Sequence, residues 1–220
     1  MPADRAVAAG SVGERAAEHS SAHLRRLGGS TAGLFEADLV GHSGPSLRGS
    51  FVHSLVLTDI ATGWTECAPL LVRKQAPLTT VMTELRTALP FPLQVFDTDN
   101  DGVFMNETVR DYCRVAGVVF TRCRPHRKND QTRVERKNGA VVRRLVGYRR
   151  YEGVDAAAAL AGAVCDRAAV VNFFQPSFKL AEKHREGARV RKRYHAPACA
   201  IPEAAIRGTM QRRSWAGVNP

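Results

Sequence analysis

A layered α/β domain built on a mixed sheet is the fold class the sequence predicts, on three observations. Three short β-rich runs joined by tight turns open the patterned part of the chain. The hydrophobic period then switches to helical, and from there β-rich and helical runs alternate. The predicted order is strand, strand, strand, helix, strand, helix, strand, helix.

Residues 1–30 are rich in Ala, Gly, Ser, Arg and Glu without a sustained apolar face. They read as a flexible leader with one short helix around 12–27. His19 and His23 have a metal-compatible spacing, but no cysteine pair follows at zinc-finger distance, so they read as polar residues of that leader. The first strand is 34–40; the turn GHSGPSLRGS separates it from a second at 51–58, and TDIATG leads into a third at 64–71. An antiparallel meander follows from these short connections. Residues 78–89 place Leu78, Val81, Met82, Leu85, Ala88 and Leu89 on one helical face, ended by Pro90 and Pro92. A strand at 93–97, a helix at 106–116 and a strand at 118–122 complete a five-stranded sheet.

The segment 130–150 reads as one long helix. At 100° per residue, Val134, Val141, Val142, Leu145, Val146 and Tyr148 share a broad apolar face. Glu135 falls on the same arc beside Val142, with Asn138 near its centre. Arg133, Lys137 and Arg144 line one flank, and Arg136, Arg143 and Arg150 the back. Gly139 and Gly147 weaken the helix and invite a bend. A further apolar helix spans 155–174, and the tail KLAEKHREGARVRKR then carries seven cations against two anions. The domain division is a leader at 1–30, a core at 31–178 and a basic, poorly ordered extension at 179–220.

At 220 residues, with 44% hydrophobic and 24% charged side chains, the chain supports a folded domain of ordinary size. No apolar run approaches the roughly 20 residues of a membrane helix, and the start lacks the apolar core of a secretory signal. A cytoplasmic protein is expected, nucleoid-associated in a bacterium. The five cysteines contain no C-x-x-C pair, which argues against a zinc ribbon or a disulfide framework. The net charge of +11 is unevenly spread: residues 1–118 hold 10 basic and 13 acidic side chains, residues 119–220 hold 22 and 8. A strongly basic second half suits a polyanion such as nucleic acid, or equally a solvated basic surface.

A carboxylate on a buried helix face, as predicted for Glu135, needs a partner. Asp38 near the end of the first strand and Asp97, Asp99 and Asp101 around the end of the fourth are candidates. Carboxylates from two strands and a helix that converge at one sheet edge repel one another unless cations neutralise them. An oxygen-only set favours Mg²⁺ or Mn²⁺ over zinc. Two such ions would suit phosphodiester chemistry, with basic residues over 122–128 and on the Glu135 helix holding the nucleic-acid backbone.

FEADLV, TDND-G-V-F-M-N and NDQTRVERKNGAVVRR, with RYEG and NFFQPSFKLAEK further on, resemble the catalytic core of retroviral-type integrases and insertion-sequence transposases. The resemblance covers about residues 34–178 and implies a ribonuclease-H-like fold with an Asp, Asp, Glu triad. Matched motif by motif, the triad is Asp38, Asp99 and Glu135, with 35 residues between the last two. It implies a polynucleotidyl transferase that nicks DNA with water and transfers the freed 3′-hydroxyl, using two Mg²⁺ or Mn²⁺ ions. Asp38 and Asp99 would share one ion, and Asp38 and Glu135 the other. The implied partners are transposon-end and target DNA, with a homo-oligomer during strand transfer. Arg122, Arg124, Arg127, Lys128, Arg133, Lys137, Asn138 and Arg144 are the DNA-binding candidates. Position 101 is Asp where the family motif has Gly. The leader is too short for a DNA-recognition domain, so the expectation is a core separated from that domain. A truncated, silent remnant that only binds DNA is one alternative, and a structure-specific nuclease without strand transfer is another. Single residues also have plainer readings. Asp97 suits a strand-end hydrogen-bond acceptor, Asp59 a turn former, His42 a turn histidine and His126 a contact to the DNA backbone.

Overall fold

The structure, a computed structural model, describes residues 32–123 and 132–200. The strands β1 (Leu34–Gly41), β2 (His53–Asp59) and β3 (Thr65–Leu70) form the antiparallel meander. The chain continues through α1 (Gln75–Ala88), β4 (Val95–Thr98), α2 (Glu107–Val115) and β5 (Val119–Arg122). The third helical unit is composite: α3 (Thr132–Lys137), a π-helical segment (Asn138–Arg143) and a last turn, α4 (Arg144–Val146). The long helix α5 (Gly153–Phe174) and an antiparallel pair, β6 (Leu180–Glu186) and β7 (Arg189–Tyr194), follow.

The five strands lie in the order β3-β2-β1-β4-β5, with β4 parallel to both β1 and β5. Alternation along β1 divides the core. Phe35 and Ala37 pack into the larger cluster, with Leu78, Val81, Met82 and Leu85 of α1 and Val109 and Cys113 of α2. Val40 turns to the other face, with Val134, Val141 and Val142 of the composite helix and Val164, Ala168 and Val171 of α5. A sheet covered on both faces explains why β2 and β3 are almost wholly buried and lack a polar alternation.

Two buried amide and carboxylate groups close this frame. Edge strand β3 has its Thr65 backbone satisfied from α5: the Thr65 N–H donates to Asn172 Oδ1 at 2.9 Å, and Asn172 Nδ2 donates to the Thr65 carbonyl at 2.8 Å. Asp59 shapes its turn as expected, accepting from the Gly33 N–H at 2.8 Å and from both the N–H and hydroxyl of Thr62 at 2.7 Å.

The composite helix corrects the sequence reading at three points. Val134, Val141 and Val142 are fully buried, but Leu145 is 42% and Tyr148 77% exposed. The wider i→i+5 turns of the π segment advance each residue by less than 100° and so break the phase of the apolar stripe. Gly147, at φ +66°, then ends the helix before Tyr148. Glu135, expected beside Val142 on the buried arc, is exposed instead. Residues 180–194, expected to be poorly ordered, form a hairpin whose β6 and β7 residues are all exposed. The predicted leader helix, His19, His23 and His126 lie outside the described residues.

Candidate functional site

Strands β1 and β4 run parallel in a register that pairs Glu36 with Asp97 and Ala37 with Thr98. The next residues, Asp38 and Asp99, lie just past the last β1–β4 pair: Asp38 stays in β1, paired with Val56 of β2, and Asp99 follows the end of β4. Both are half-buried. Glu135 comes to the same end from the first turn of α3.

Asp38 is held on both oxygens. Its Oδ1 accepts from the Leu39 N–H at 2.7 Å, and its Oδ2 accepts from Asn138 Nδ2, also at 2.7 Å. Burial pushes its pKa up; those two hydrogen bonds favour the charged form, while the neighbouring charges of Asp99 and Glu135 push the pKa further up. Asp38 is thus within electrostatic reach of both Asp99 and Glu135. Burial also raises Asp99, with Arg73 opposing. Asp99 Oδ1 accepts from the Asp101 N–H at 2.9 Å, so the Asp in place of the family's Gly lies in a turn hydrogen-bonded back to Asp99. Asp101 Oδ1 in turn accepts from the Val103 N–H at 3.0 Å, and Oδ2 pairs with Arg73. The helix that follows is capped by Asn106, whose side chain accepts from the Val109 N–H at 3.0 Å.

Among the described residues, no three His, Cys, Asp or Glu side chains are gathered closely enough to hold a metal ion. Asp38, Asp99 and Glu135 supply oxygen donors of the type Mg²⁺ or Mn²⁺ takes. Their donor chemistry suits such an ion, but the three are not gathered around one point, and both oxygens of Asp38 already accept from protein donors.

Of the DNA-binding candidates, Arg122 is exposed at the end of β5, opposite Thr98 in the register, and Arg144 is exposed at the start of α4. Asn138 is turned onto Asp38. Lys137 is half-buried next to Cys67 of β3, and burial pushes its ammonium pKa down. It does not share an open stripe with Arg144. Arg133 lies in the first turn of α3, and Arg124, Arg127 and Lys128 fall outside the described residues.

Two residues were missed. Glu36 is 1% exposed, and its Oε2 accepts from the Val134 N–H at 3.0 Å, so a strand carboxylate caps the helix that carries Glu135. An acid two residues before Asp38, on the same face of the strand, was its signal. Arg73, in the loop after β3, had none. The plainer reading of Asp97 holds, but His42 is a buried core histidine and not a turn residue. Asp97 is fully buried and accepts from the Thr121 hydroxyl at 2.8 Å. His42 is fully buried, with Nε2 2.8 Å from Ser54 Oγ.

A mixed five-stranded sheet in this order, flanked on both faces by helices, is a ribonuclease-H-like fold of the integrase-core kind. The structure aligns with the crystal structure of the catalytic core domain of BIV integrase at a TM-score of 0.50 and 15% identity, covering 64% of this chain and 84% of that one. At that identity the likeness shows the fold. In sequence, the chain is 55% identical over 170 residues to the uncharacterized protein y4rM of Sinorhizobium fredii, which is 77% of this chain and 48% of that one. The chain thus spans about half the length of that relative. No family model matches. Among the described residues, no helix is long and apolar enough to cross a membrane.

Proposed function

We propose that this chain is the catalytic core of a DNA transposase or integrase, which nicks a phosphodiester with water and joins the freed 3′-hydroxyl to a target strand. The observation that carries this reading is the position of Asp38 within β1 and of Asp99 just past β4, one step beyond the last pair of these adjacent parallel strands, with Glu135 near enough for its charge to act on Asp38. Two bound Mg²⁺ or Mn²⁺ ions would activate the attacking oxygen and stabilise the departing one. The protein's own residues supply the rest. Asp38, Asp99 and Glu135 hold negative charge at the reacting phosphate's cation site. Asn138 orients the Asp38 carboxylate, and Glu36 fixes the helix that brings Glu135. Arg122, Arg144 and the basic residues between β5 and α3 hold DNA phosphates, and strand transfer with paired ends calls for a homo-oligomer.

The test is DNA nicking by the purified chain with Mg²⁺ or Mn²⁺. Asp38→Asn, Asp99→Asn and Glu135→Gln should each remove cleavage while leaving the circular dichroism spectrum unchanged. Retained cleavage in any one removes that residue from the site. A pre-nicked end joined to target DNA separates a transposase from a nuclease that only cuts. A second reading, a silent core that binds DNA, is favoured by the protein donors on both oxygens of Asp38. It predicts salt-sensitive DNA binding with no cleavage under either metal.

A further inference from the structure

We propose that the β6–β7 hairpin binds the phosphate backbone of DNA through one of its two faces, the face of Lys183, Arg185 and Lys192. The inference rests on DNA being the partner in the reading above and adds a contact site outside the carboxylate end.

The register separates two unlike faces. Glu182 pairs with Arg193, His184 with Arg191 and Glu186 with Arg189, so one face carries both acids of the hairpin. On that face Arg193 reaches Glu182 at 3.4 Å and His184 reaches Glu186 at 3.2 Å. The opposite face pairs Lys183 with Lys192, Arg185 with Val190 and Leu180 with Tyr194. It carries three cations and no acid. Cations scattered only to keep an exposed edge soluble would have no reason to avoid the acids.

Two further features point to an occupant. Lys183 and Lys192 stand directly opposite each other, an arrangement that destabilises a strand pair unless something neutralises it. Every β6 and β7 residue is exposed, and a two-stranded hairpin without cover is marginal in water. The acid-free face also presents Tyr194, its ring edge-on to Phe178 at 6.2 Å, with Phe178 65% and Tyr194 47% exposed. Cations interleaved with exposed rings suit a nucleic-acid strand, with phosphates on the cations and sugars or bases against the rings.

The root of the hairpin tells where this DNA would lie. Lys179 Nζ donates to the Ala61 carbonyl in the β2–β3 turn, and the Ala200 N–H donates to the Asn172 carbonyl at 3.1 Å. That turn follows Asp59, which pairs with Phe35 near the start of β1. Asp38 and Asp99 lie toward the other end of β1, so the hairpin is rooted away from the reacting phosphate.

The experiment uses the full chain carrying Glu135→Gln, without divalent metal, so binding is read apart from cutting. Fluorescence anisotropy on labelled duplex DNA is measured over a series of salt concentrations. Lys183→Ala/Arg185→Ala/Lys192→Ala is compared with Arg189→Ala/Arg191→Ala/Arg193→Ala, each removing three cations. The first set should weaken binding at least tenfold and lower the salt slope by about 2–3, at roughly 0.9 per phosphate released. The second should weaken it less than threefold. Equal losses in the two sets, or no loss in the first, overturn the proposal. If the parent chain binds no DNA at low salt, the DNA reading of the whole molecule fails as well. Binding by the parent with an unaffected first set overturns the hairpin assignment alone.

Discussion

Two pairs of carboxylates on the same neighbouring strands, two residues apart, sit in different surroundings. Glu36 and Asp97 face each other across β1 and β4, and two residues on, Asp38 and Asp99 lie just past the last pair of that ladder. The first pair is buried and spends its oxygens on protein donors: the Val134 N–H for Glu36, the Thr121 hydroxyl for Asp97. The second is half-buried, and burial raises the pKa of both its members. Carboxylate identity does not distinguish the pairs. What distinguishes them is exposure: the first pair is sealed in the core, whereas the second also accepts from protein donors but stays half open to solvent, with burial disfavouring its charge.

The largest expected effect splits the pairs by readout. Asp99→Asn should cut metal-dependent nicking by roughly 10²–10³ or more, the scale of removing one preorganised electrostatic group. Its urea midpoint should not fall. A variant that keeps its nicking rate would place Asp99 with the structural pair.

The next effect belongs to acid pH. Burial holds His42 neutral, its pKa down at about 4 from an ordinary 6.5, with the charges of Arg143 and His53 adding to the shift. A depressed histidine contributes stability that is present above pH 6.5 and lost as the pH falls through 4. Between pH 7 and 4 the wild type should lose roughly 3 kcal/mol more than His42→Gln, at 1.36 kcal/mol per unit. Parallel pH profiles from urea unfolding would contradict this.

Glu36→Ala should cost about 1–3 kcal/mol, because it strands the buried Val134 N–H at the start of α3. Nicking should fall with it wherever the Glu135 helix is displaced. An unchanged urea midpoint would show that another acceptor closes the cap.

The smallest effect sharpens the contrast from the opposite direction. A carboxylate raised above its ordinary 3.8 binds its proton more tightly folded than unfolded, so its ionisation destabilises the fold as the pH rises through the raised value. Asp99→Asn should therefore shift the urea midpoint slightly upward at pH 7, with the gap closing near pH 3.8. A downward shift at pH 7 would mean that Asp99 is satisfied by the protein, as Asp97 is.

The element order was legible because alternation, turn residues and a change of period are local properties. That Asp38 falls in β1, Asp99 just after β4 and Glu135 on a helix was legible because strand and helix patterns are local too. Glu135's environment was not. A uniform wheel put it beside Val142, and the π segment between them changed the phase without any sequence mark beyond Gly139. Glu36 and Asn172 act on partners 98 and 107 residues away, distances at which local patterning carries no information. The hairpin of β6 and β7 is exposed on both faces, so it has no hydrophobic alternation to read, and only Gly187, at φ +57° between the strands, marks its turn.

Binding of Mn²⁺ to the metal-free full chain, followed by titration calorimetry, tests the account's centre most directly. The wild type should take up the ion, and Asp38→Asn, Asp99→Asn and Glu135→Gln should each weaken or abolish that uptake while unfolding at an undiminished urea midpoint. Identical isotherms for the wild type and all three folded variants would contradict a divalent-ion site built from these carboxylates.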